Sequence, residues 1–336
     1  MKSDKLRIAL ETLKGSVSTE TDAVKLTGQI ARATDGGWWA EATLPDPISA
    51  QMTLPYSKFR SIVRTLYEKD EIEIEPNGPT CLIKAPGTLW QLNLLNVPIE
   101  PPPDFPVINT IEASGYALLE AYRSLKHLIR TDLSRQGLMW AWTNEDHQLV
   151  IGDGARLGGH QTGIKDLELP LIILSEICRI LAVNLSEKVI LHIGEKHVRA
   201  TMRDGYFQAM LLKGPGFDVD WYNKVRNLLN EDPQLIKMSR SDLLRAIAQV
   251  RITAGESTLK LAPGNGGLIL MTKDEHGNKS TSEIETSGSL KEPISLNIDH
   301  LAEATEALTD ELLIMKVCRS VIEVSDKKRW EVIIQR

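Results

Sequence analysis

Apolar and polar residues follow a helical period over positions 54–66 of the chain. Phe59, Ile62 and Val63 recur at three- and four-residue spacing, which places them on one face of a helix. Pro55 stands at the expected first helical position, where a backbone N–H would have no acceptor within the helix. We therefore predict a helix that begins at Pro55 and buries one face.

The same pattern returns further along the chain. Positions 169–181 again read Leu-Pro, six residues, Ile, one residue, Arg, one residue, Leu, and a weaker copy covers 296–308. Each copy precedes an alternating stretch that is typical of a strand, at 71–74, 189–193 and 312–315. A further apolar strand then begins with an aromatic residue and Gln or Glu, at Trp90, Phe207 and Trp330. We interpret this order as three tandem repeats.

A second helical pattern opens each repeat, at 4–13, 114–129 and 239–250. At the third of these, Ser239 and Asp242 fit a capping box. Turn-rich linkers near 101–106 and 230–233 separate the repeats. We therefore predict three domains, 1–107, 108–230 and 231–336, each with the order helix, strands, helix, strands.

Composition is that of a globular protein with a hydrophobic core, since 42% of the 336 residues are hydrophobic. No apolar run approaches the roughly 18 residues of a membrane span, and the N-terminus opens directly with an amphipathic pattern. We expect a cytoplasmic protein. The three cysteines, Cys81, Cys178 and Cys318, are far apart in apolar stretches, which favours buried thiols over disulfides.

The glycine-rich run at 152–160 is the most conspicuous candidate for chemistry. It lacks the third glycine of a dinucleotide fingerprint, because Leu157 stands there, and no P-loop lysine follows. A tight turn between two strands is the favoured interpretation over a nucleotide site. The seven histidines have no metal-ligand spacing, and no nucleophile motif is present. We expect no catalytic residue, metal or cofactor, and hence no enzyme.

The charge distribution leaves two interpretations open. A net charge of -6 argues against binding nucleic acid by bulk electrostatics. Basic residues nevertheless concentrate on predicted helices, at Lys58, Arg60, Arg64, Arg123, Lys126, Arg130, Arg240, Arg245 and Arg251. Arg123, Lys126 and Arg130 share one helical face. These residues are either solubilising surface charge or a basic face, and the helix at 299–306 breaks the trend because it is acidic.

Four motifs follow one another along the chain. The first two are the helix at 54–66 and the strand that begins Trp90-Gln91-Leu92. The third is the segment 153–157, Asp-Gly-Ala-Arg-Leu, and the fourth is the segment 220–225, Asp-Trp-Tyr-Asn-Lys-Val. With these motifs in this order the chain resembles, over nearly its whole length, the bacterial DNA polymerase III beta sliding clamp, whose segments similar to the last two are Asp-Gly-His-Arg-Leu and Pro-Asp-Tyr-Arg-Arg-Val.

The resemblance implies an α+β fold of three domains, each with two helices packed on antiparallel sheets. It implies a head-to-tail ring of two chains that encircles double-stranded DNA without sequence preference and acts as a replication processivity factor. It implies dimer contacts at positions Trp90, Leu92, Ile252 and Thr253. The helix residues expected to face DNA are Lys58, Arg64, Arg123, Lys126, Arg130, Arg135 and Arg179. We would expect such a clamp in the cytoplasm at the nucleoid.

The resemblance also implies a pocket that binds short Gln/Leu-rich peptides of the replicative polymerase and the clamp loader. Its matching positions are Gly152, Gly154, Ala155, Arg156, Leu157, Lys224, Val225, His300, Ser320, Val332, Ile333 and Ile334.

Several positions depart from the family pattern. Ala155 replaces a histidine, Asp220 replaces a proline, and the chain ends without the family's Met-Pro-Met-type tail. Leu171 and Ile172 stand where the family carries Arg-Lys. Divergence of this kind suits a phage- or plasmid-encoded clamp. It also leaves open a second function, a clamp-fold adaptor that binds partner proteins but no longer encircles DNA.

Overall fold

The computed structural model describes residues 1–129, 139–211, 214–254, 257–318 and 320–334. The chain divides into two compact units. Unit 1 consists of Met1–Leu119 with Ile172–Lys213, and unit 2 of Glu120–Leu171 with Gly214–Arg336. In the described part of the chain, no helix has both the length and the apolar character that crossing a membrane requires.

Seven α-helices are found in the described residues. They are α1 (Ser3–Leu13), α2 (Tyr56–Thr65), α3 (Gly115–Leu125), α4 (Leu171–Val183), α5 (Val219–Leu228), α6 (Arg240–Arg251) and α7 (Ile298–Ala307). Single 3₁₀ turns, Lys14–Ser16 and Lys126–Leu128, follow α1 and α3. Six of the helices lie where the sequence predicts them, and α5 was not predicted. The α5 helix is capped by Asp218, whose carboxylate accepts from the backbone N–H of Trp221.

The starts of the repeated helices differ slightly from the prediction. Pro55 ends a strand and is the N-cap residue of α2, so the helix begins one residue later, and Pro170 likewise ends the strand before α4. The fixed φ of proline, -64° at Pro55, suits the extended N-cap as well as the first helical turn. In α6 and α7, side chains cap instead: the hydroxyl of Ser239 accepts from the N–H of Asp242, and Asn297 accepts from Asp299 and His300.

Unit 1 contains two antiparallel sheets. Its strands are β1 (Ala23–Thr34), β2 (Trp38–Pro55), β3 (Glu73–Asn77), β4 (Thr80–Ala85), β5 (Thr88–Asn93), β6 (Asn109–Ser114), β11 (Lys188–Ile193), β12 (His197–Met202) and β13 (Gly205–Met210). The six-stranded sheet has the order β1-β2-β13-β12-β11-β6, and the smaller one β3-β4-β5. Strands from the first two predicted repeats pair directly, with Tyr206 opposite Glu41. A core cluster that includes Leu6, Leu10 and Phe59 joins helices α1 and α2 to strands β1–β5.

Unit 2 also contains two antiparallel sheets. Its strands are β7 (Trp140–Thr143), β8 (Gln148–Gly152), β9 (Arg156–Gln161), β10 (Glu168–Pro170), β14 (Gln234–Ser239), β15 (Thr258–Pro263), β16 (Gly267–Lys273), β17 (Lys279–Glu285), β18 (Ile294–Asn297), β19 (Leu312–Val317), β20 (Val321–Ser325) and β21 (Arg329–Ile334). The eight-stranded sheet has the order β10-β7-β8-β9-β21-β20-β19-β14, and the smaller one β17-β16-β15-β18. The predicted α+β class with antiparallel sheets is therefore confirmed.

The three cysteines are buried and take part in no disulfide, as the sequence predicts. Burial raises the pKa of the Cys81 thiol to about 11. Such a thiol is protonated and unreactive at neutral pH, so Cys81 serves as a small core residue.

Candidate functional site

The glycine-rich run forms a tight turn between β8 and β9, as the sequence predicts. The carboxylate Oδ1 of Asp153 accepts from the backbone N–H groups of Ala155 at 2.9 Å and Arg156 at 2.7 Å. Gly154 has φ +84°, in the left-handed region that a side chain would strain. The turn is therefore held by an Asx-type contact and needs glycine at its tip.

Four of the expected pocket residues meet in one apolar cluster beside this turn. Leu157 and Val332 are fully buried and lie opposite each other on β9 and β21. Val225 from α5 packs in the same cluster, and Ile334 contacts it while remaining partly exposed. The backbone N–H of Ile334 donates to the carbonyl of Ala155 at 3.0 Å, which fixes the end of β21 to the turn. The cluster thus has a buried floor and an apolar rim at Ile334.

An aromatic wall that the sequence reasoning missed adjoins the apolar cluster. Trp221 lies against Gly152, where an added Cβ would come within 2.6 Å of the indole ring. Tyr222 makes an edge-to-face contact with Trp142, with ring centroids 5.3 Å apart. Arg226 lies 4.6 Å from the centroid of the Trp330 ring and pairs with Glu323 at 2.6 Å. The tryptophans in the sequence of unit 2 indicate aromatic packing there, but they do not show which of these rings contact one another.

Two expected pocket residues point away from this cluster. Side chains alternate along a strand, and Ile333 belongs to the other core of unit 2, with Leu301 and Met315. Arg156, the partner of Ile333 across the ladder, is only 2% exposed. Its guanidinium pairs with Asp153 at 3.0 Å and Glu303 at 2.5 Å. Arg156 is therefore buried beneath the turn and bound to acidic side chains, and its assignment to the pocket stays a prediction.

The remaining pocket positions lie on separate elements of unit 2. Lys224 is exposed on α5, and Ser320 lies half-exposed between β19 and β20. His300 is half-buried in the first turn of α7, where its backbone N–H donates to Asn297. The alignment of these three with the apolar cluster stays a prediction.

A buried ion cluster underlies the same strands, and sequence reasoning did not predict it. Glu331 is fully buried between Arg329, at 2.7 Å, and the Nε2 of His127, at 2.8 Å. Arg329 is 2% exposed. Burial lowers the pKa of the Arg329 guanidinium, although Glu331 opposes that effect. These charges sit on the face of β21 opposite the apolar cluster and hold unit 2 together locally.

Some of the basic residues expected to face DNA are exposed, and others are hydrogen-bonded within the chain. Lys58, Arg123 and Lys126 are exposed, on α2, on α3 and in the 3₁₀ turn after α3. Arg64 is 57% exposed, with its Nε 3.6 Å from a Glu11 carboxylate oxygen. Arg179 is hydrogen-bonded within unit 1, because its guanidinium donates to the backbone carbonyls of Glu11 at 2.7 Å and Thr12 at 3.1 Å.

Arg130 and Arg135 lie outside the described residues. Ile172, at a position where the family carries a basic residue, is 58% exposed, whereas Leu171 is buried. Among the described residues, no group of His, Cys, Asp and Glu could hold a metal ion.

The positions expected at a dimer contact lie at the borders of their sheets and helices. Trp90 and Leu92 are on β5, an edge strand of the three-stranded sheet, and Leu92 is 9% exposed. Ile252 follows α6 and is 85% exposed, and Thr253 is half-buried beside it.

Comparison with known proteins finds similarity in the fold but not in the sequence. No family model matches the sequence, and no curated protein matches it. Solved structures do: the DNA polymerase III subunit beta of Pseudomonas aeruginosa superposes with TM-score 0.84 at 19% identity, covering 100% of this chain and 98% of that one. This chain has the sliding-clamp fold.

Other sliding clamps agree. The beta subunit of Thermotoga maritima superposes with TM-score 0.83 at 15% identity, over 100% of this chain and 98% of that one. A clamp of Bartonella birtlesii bound to griselimycin gives TM-score 0.83 at 18% identity, with the same coverage. The fold that the motifs implied is confirmed, and the low identity shows how far the sequence has diverged from these clamps.

Proposed function

We propose that the protein is a DNA sliding clamp, a processivity factor that encircles duplex DNA and tethers a replicative polymerase. The observation that carries the proposal is the match of the whole chain to 98% of the Pseudomonas aeruginosa clamp at TM-score 0.84. We assign three domains, 1–107, 108–230 and 231–336. Such a protein would work in the cytoplasm, at the nucleoid.

The mechanism is topological. A closed ring cannot leave DNA sideways, so it needs only weak contacts, and weak contacts permit sliding. Exposed helix cations such as Lys58, Arg123 and Lys126 are suited to sequence-independent phosphate contact. A net charge of -6 is compatible with this role if the positive charge is concentrated on the helices. Tethering then raises the effective concentration of the polymerase at the primer end.

The apolar cluster of unit 2 supports a site for partner peptides. Leu157, Val225 and Val332 provide a buried apolar floor, and Ile334 provides a rim that a peptide side chain can cover. We assign this site to short Gln/Leu-rich motifs of the polymerase and the clamp loader. Clamps from Pseudomonas aeruginosa and Bartonella birtlesii bind griselimycin, so this compound is a practical probe for the chain.

The ring requires self-association. We assign a head-to-tail homodimer in which the edge strand β5, with Trp90 and Leu92, meets the end of α6, with Ile252 and Thr253, of a second copy. A heterologous interface of this kind forms a closed assembly when its rotation closes. Contact at β5 would also cover an edge strand that otherwise invites aggregation.

Threading onto linear DNA tests the topological link without a loader. The protein is mixed with linear duplex biotinylated at both ends, streptavidin is added to block the ends, and retention is measured at high salt. We expect retention that is lost on cleavage at an internal restriction site. The control is the same duplex with biotin at one end. Equal retention on both duplexes, or no release on cleavage, would contradict encirclement.

One observation favours the alternative, a clamp-fold adaptor. The second helix of the second repeat exposes Ile172 and commits Arg179 to backbone carbonyls, so this helix offers DNA little positive charge. Solution mass separates the two functions: a clamp gives about twice the 37.4 kDa of one chain, and an adaptor that has lost the ring gives a monomer.

A further inference from the structure

The eight-stranded sheet of unit 2 leaves part of one face uncovered. Residues paired across a ladder share a face, so Val332 of β21, Glu323 of β20 and Lys316 of β19 lie in one row on the face of the apolar cluster. Helix α5 covers the part of this face over β9 and β21, because Val225 packs there with Val332. Beyond β20, the same face of β19 and β14 carries exposed side chains.

Three large apolar side chains form a stripe on this uncovered face. Leu235 on β14 is 57% exposed, and Leu312 and Ile314 on β19 are 62% and 37% exposed. Leu235 lies opposite Lys316 in the ladder, which makes it a diagonal neighbour of Ile314 at about 7–8 Å. Leu312 is two residues from Ile314 along β19, about 7 Å away. The apolar stripe is therefore about 14 Å long.

Two lysines border the apolar stripe. Lys237 lies opposite its middle residue in the ladder, and Lys316 follows that residue by two positions on the same face. The acid opposite Lys316 is Glu323, which pairs with Arg226 at 2.6 Å, and Glu311 at the end of the stripe accepts from two serine hydroxyls. Within the described part of the chain neither lysine forms an ion pair. The stripe is thus bordered by positive charge that has no partner of its own.

The edge of β14 beside the stripe is closed to a further strand. The backbone N–H of Lys237 donates to the carbonyl of Ser287 at 2.8 Å, and the N–H of Ser287 donates to the carbonyl of Lys237 at 2.9 Å. The carbonyl of Leu235 lies against Gly288, where an added Cβ would come within 2.3 Å of that oxygen. A partner cannot extend the sheet here through backbone hydrogen bonds, so it must lie on the exposed face.

We propose that this face binds an amphipathic helix of a partner protein, whose apolar residues are bordered by aspartate and glutamate. Packed helix axes are about 8–10 Å apart, which is the width of two strand spacings of about 4.8 Å. A helix over β19 would therefore pack beside α5 on the same sheet. Apolar residues four positions apart rise about 6 Å along a helix, so three of them cover most of the stripe, and the flanking acids reach Lys237 and Lys316. This contact surface is separate from the proposed peptide site and does not require the ring.

The charge and the apolar area together select an acidic helix over other occupants. Two copies that met through this face would set lysine against lysine, and like charges across an interface are unfavourable. Duplex DNA would satisfy the lysines with phosphates but would leave the apolar stripe uncovered. An acidic amphipathic helix buries the stripe and neutralises both lysines.

Fluorescence anisotropy with three stapled helical peptides of about 14 residues tests the proposal, since unstapled helices of this length are marginal in water. The first peptide has leucine at every fourth position with glutamate on both sides, the second has lysine in place of glutamate, and the third is a scrambled form of the first. We expect the glutamate peptide to bind at least about tenfold more tightly than the other two.

Variants of the protein locate the binding. Ile314→Ser should raise the Kd of the glutamate peptide about tenfold, because it removes apolar contact at the centre of the stripe. In Lys237→Glu/Lys316→Glu the preference should reverse, so that the lysine peptide binds more tightly. Lys260→Glu, which changes an exposed lysine of β15, is the matched control and should leave every Kd unchanged.

Four results would overturn the proposal. Equal affinity for the three peptides would show that the face does not select an acidic helix. A glutamate-peptide Kd unchanged by Ile314→Ser and by Lys237→Glu/Lys316→Glu would place the binding elsewhere. Self-association that Ile314→Ser weakens would assign the face to a second copy, and duplex DNA binding lost only in the double lysine variant, with peptide binding unchanged, would assign the lysines to DNA. Circular dichroism of each variant checks that the fold is kept.

Discussion

Substitution of Glu331 should destabilise unit 2 strongly. Its carboxylate is fully buried, accepts from Arg329 at 2.7 Å and lies 2.8 Å from the Nε2 of His127. Glu331→Gln keeps the shape but leaves the Arg329 guanidinium, 2% exposed, without its counter-charge. Removing one partner of a buried ion pair costs about 3–5 kcal/mol, because the other charge stays desolvated. We expect a loss of about that size in the free energy of unfolding.

Urea denaturation followed by tryptophan fluorescence measures this loss, with Trp330 adjacent to Glu331 as an internal reporter. The double variant Arg329→Met/Glu331→Leu should recover most of the stability, since an apolar pair of similar volume avoids desolvation. Glu75→Gln is the control, because it breaks an exposed pair with Lys84 and should have no measurable effect. A Glu331→Gln loss below about 1 kcal/mol, or a double variant as unstable as the single, would refute the reasoning.

Three further predictions follow from the site. Ile334→Asp changes the partly exposed rim and should abolish griselimycin binding with the fold intact, which calorimetric titration measures. Leu157→Asp places a charge at a fully buried position and should unfold unit 2, which circular dichroism detects. Gly154→Ala, at φ +84°, should cost about 1–2 kcal/mol in urea denaturation, and an unchanged midpoint would contradict the strain. Burial tends to raise the pKa of Asp326, but backbone N–H donors, among them those of Thr309, Lys328 and Arg329, outweigh that effect and hold the pKa below the ordinary 3.8. The stability from Asp326 is thus present above about pH 4 and is lost as the pH falls through the lowered pKa, so the destabilisation by Asp326→Asn should be full at pH 7 and should shrink as the solution is acidified below pH 4; a constant difference would refute this.

Periodic patterns predicted the regular elements because they depend on local spacing. The repeated Leu-Pro helices and the alternating strands are found at the predicted positions, with shifts of a residue at Pro55 and Pro170. The α5 helix was missed because its apolar residues are few and its start depends on one side-chain cap from Asp218. Linkers in the sequence mark where one repeat ends and the next begins, but they do not show which strands form a sheet. Strand β2 precedes the first linker and β13 follows it, yet the two strands pair.

The positions of the apolar cluster could be proposed from the sequence where they lie in matched motifs, as Leu157 and Val225 do. The turn at Gly154 and the floor at Leu157 were found in a single run, but the aromatic wall brings Trp142 together with Tyr222, far apart in the sequence. Arg156 is one of the matched pocket positions, but motif matching gives a position and not a direction. On β9 the direction is decided by the pleat, which points Leu157 to the apolar cluster and its neighbour to the acids beneath.

The two faces of β21 allow binding and stability to be changed separately. Val332 and Ile334 face the apolar cluster, whereas Glu331 and Ile333 face the ion cluster and the second core. Because successive side chains alternate, a substitution at an even position alters the proposed peptide site and one at an odd position alters the support beneath it. Divergence at Ile334 can therefore change partner preference without loss of the fold. Glu331 does not tolerate such divergence, since any replacement there leaves the buried charge of Arg329 without Glu331 unless Arg329 is replaced as well.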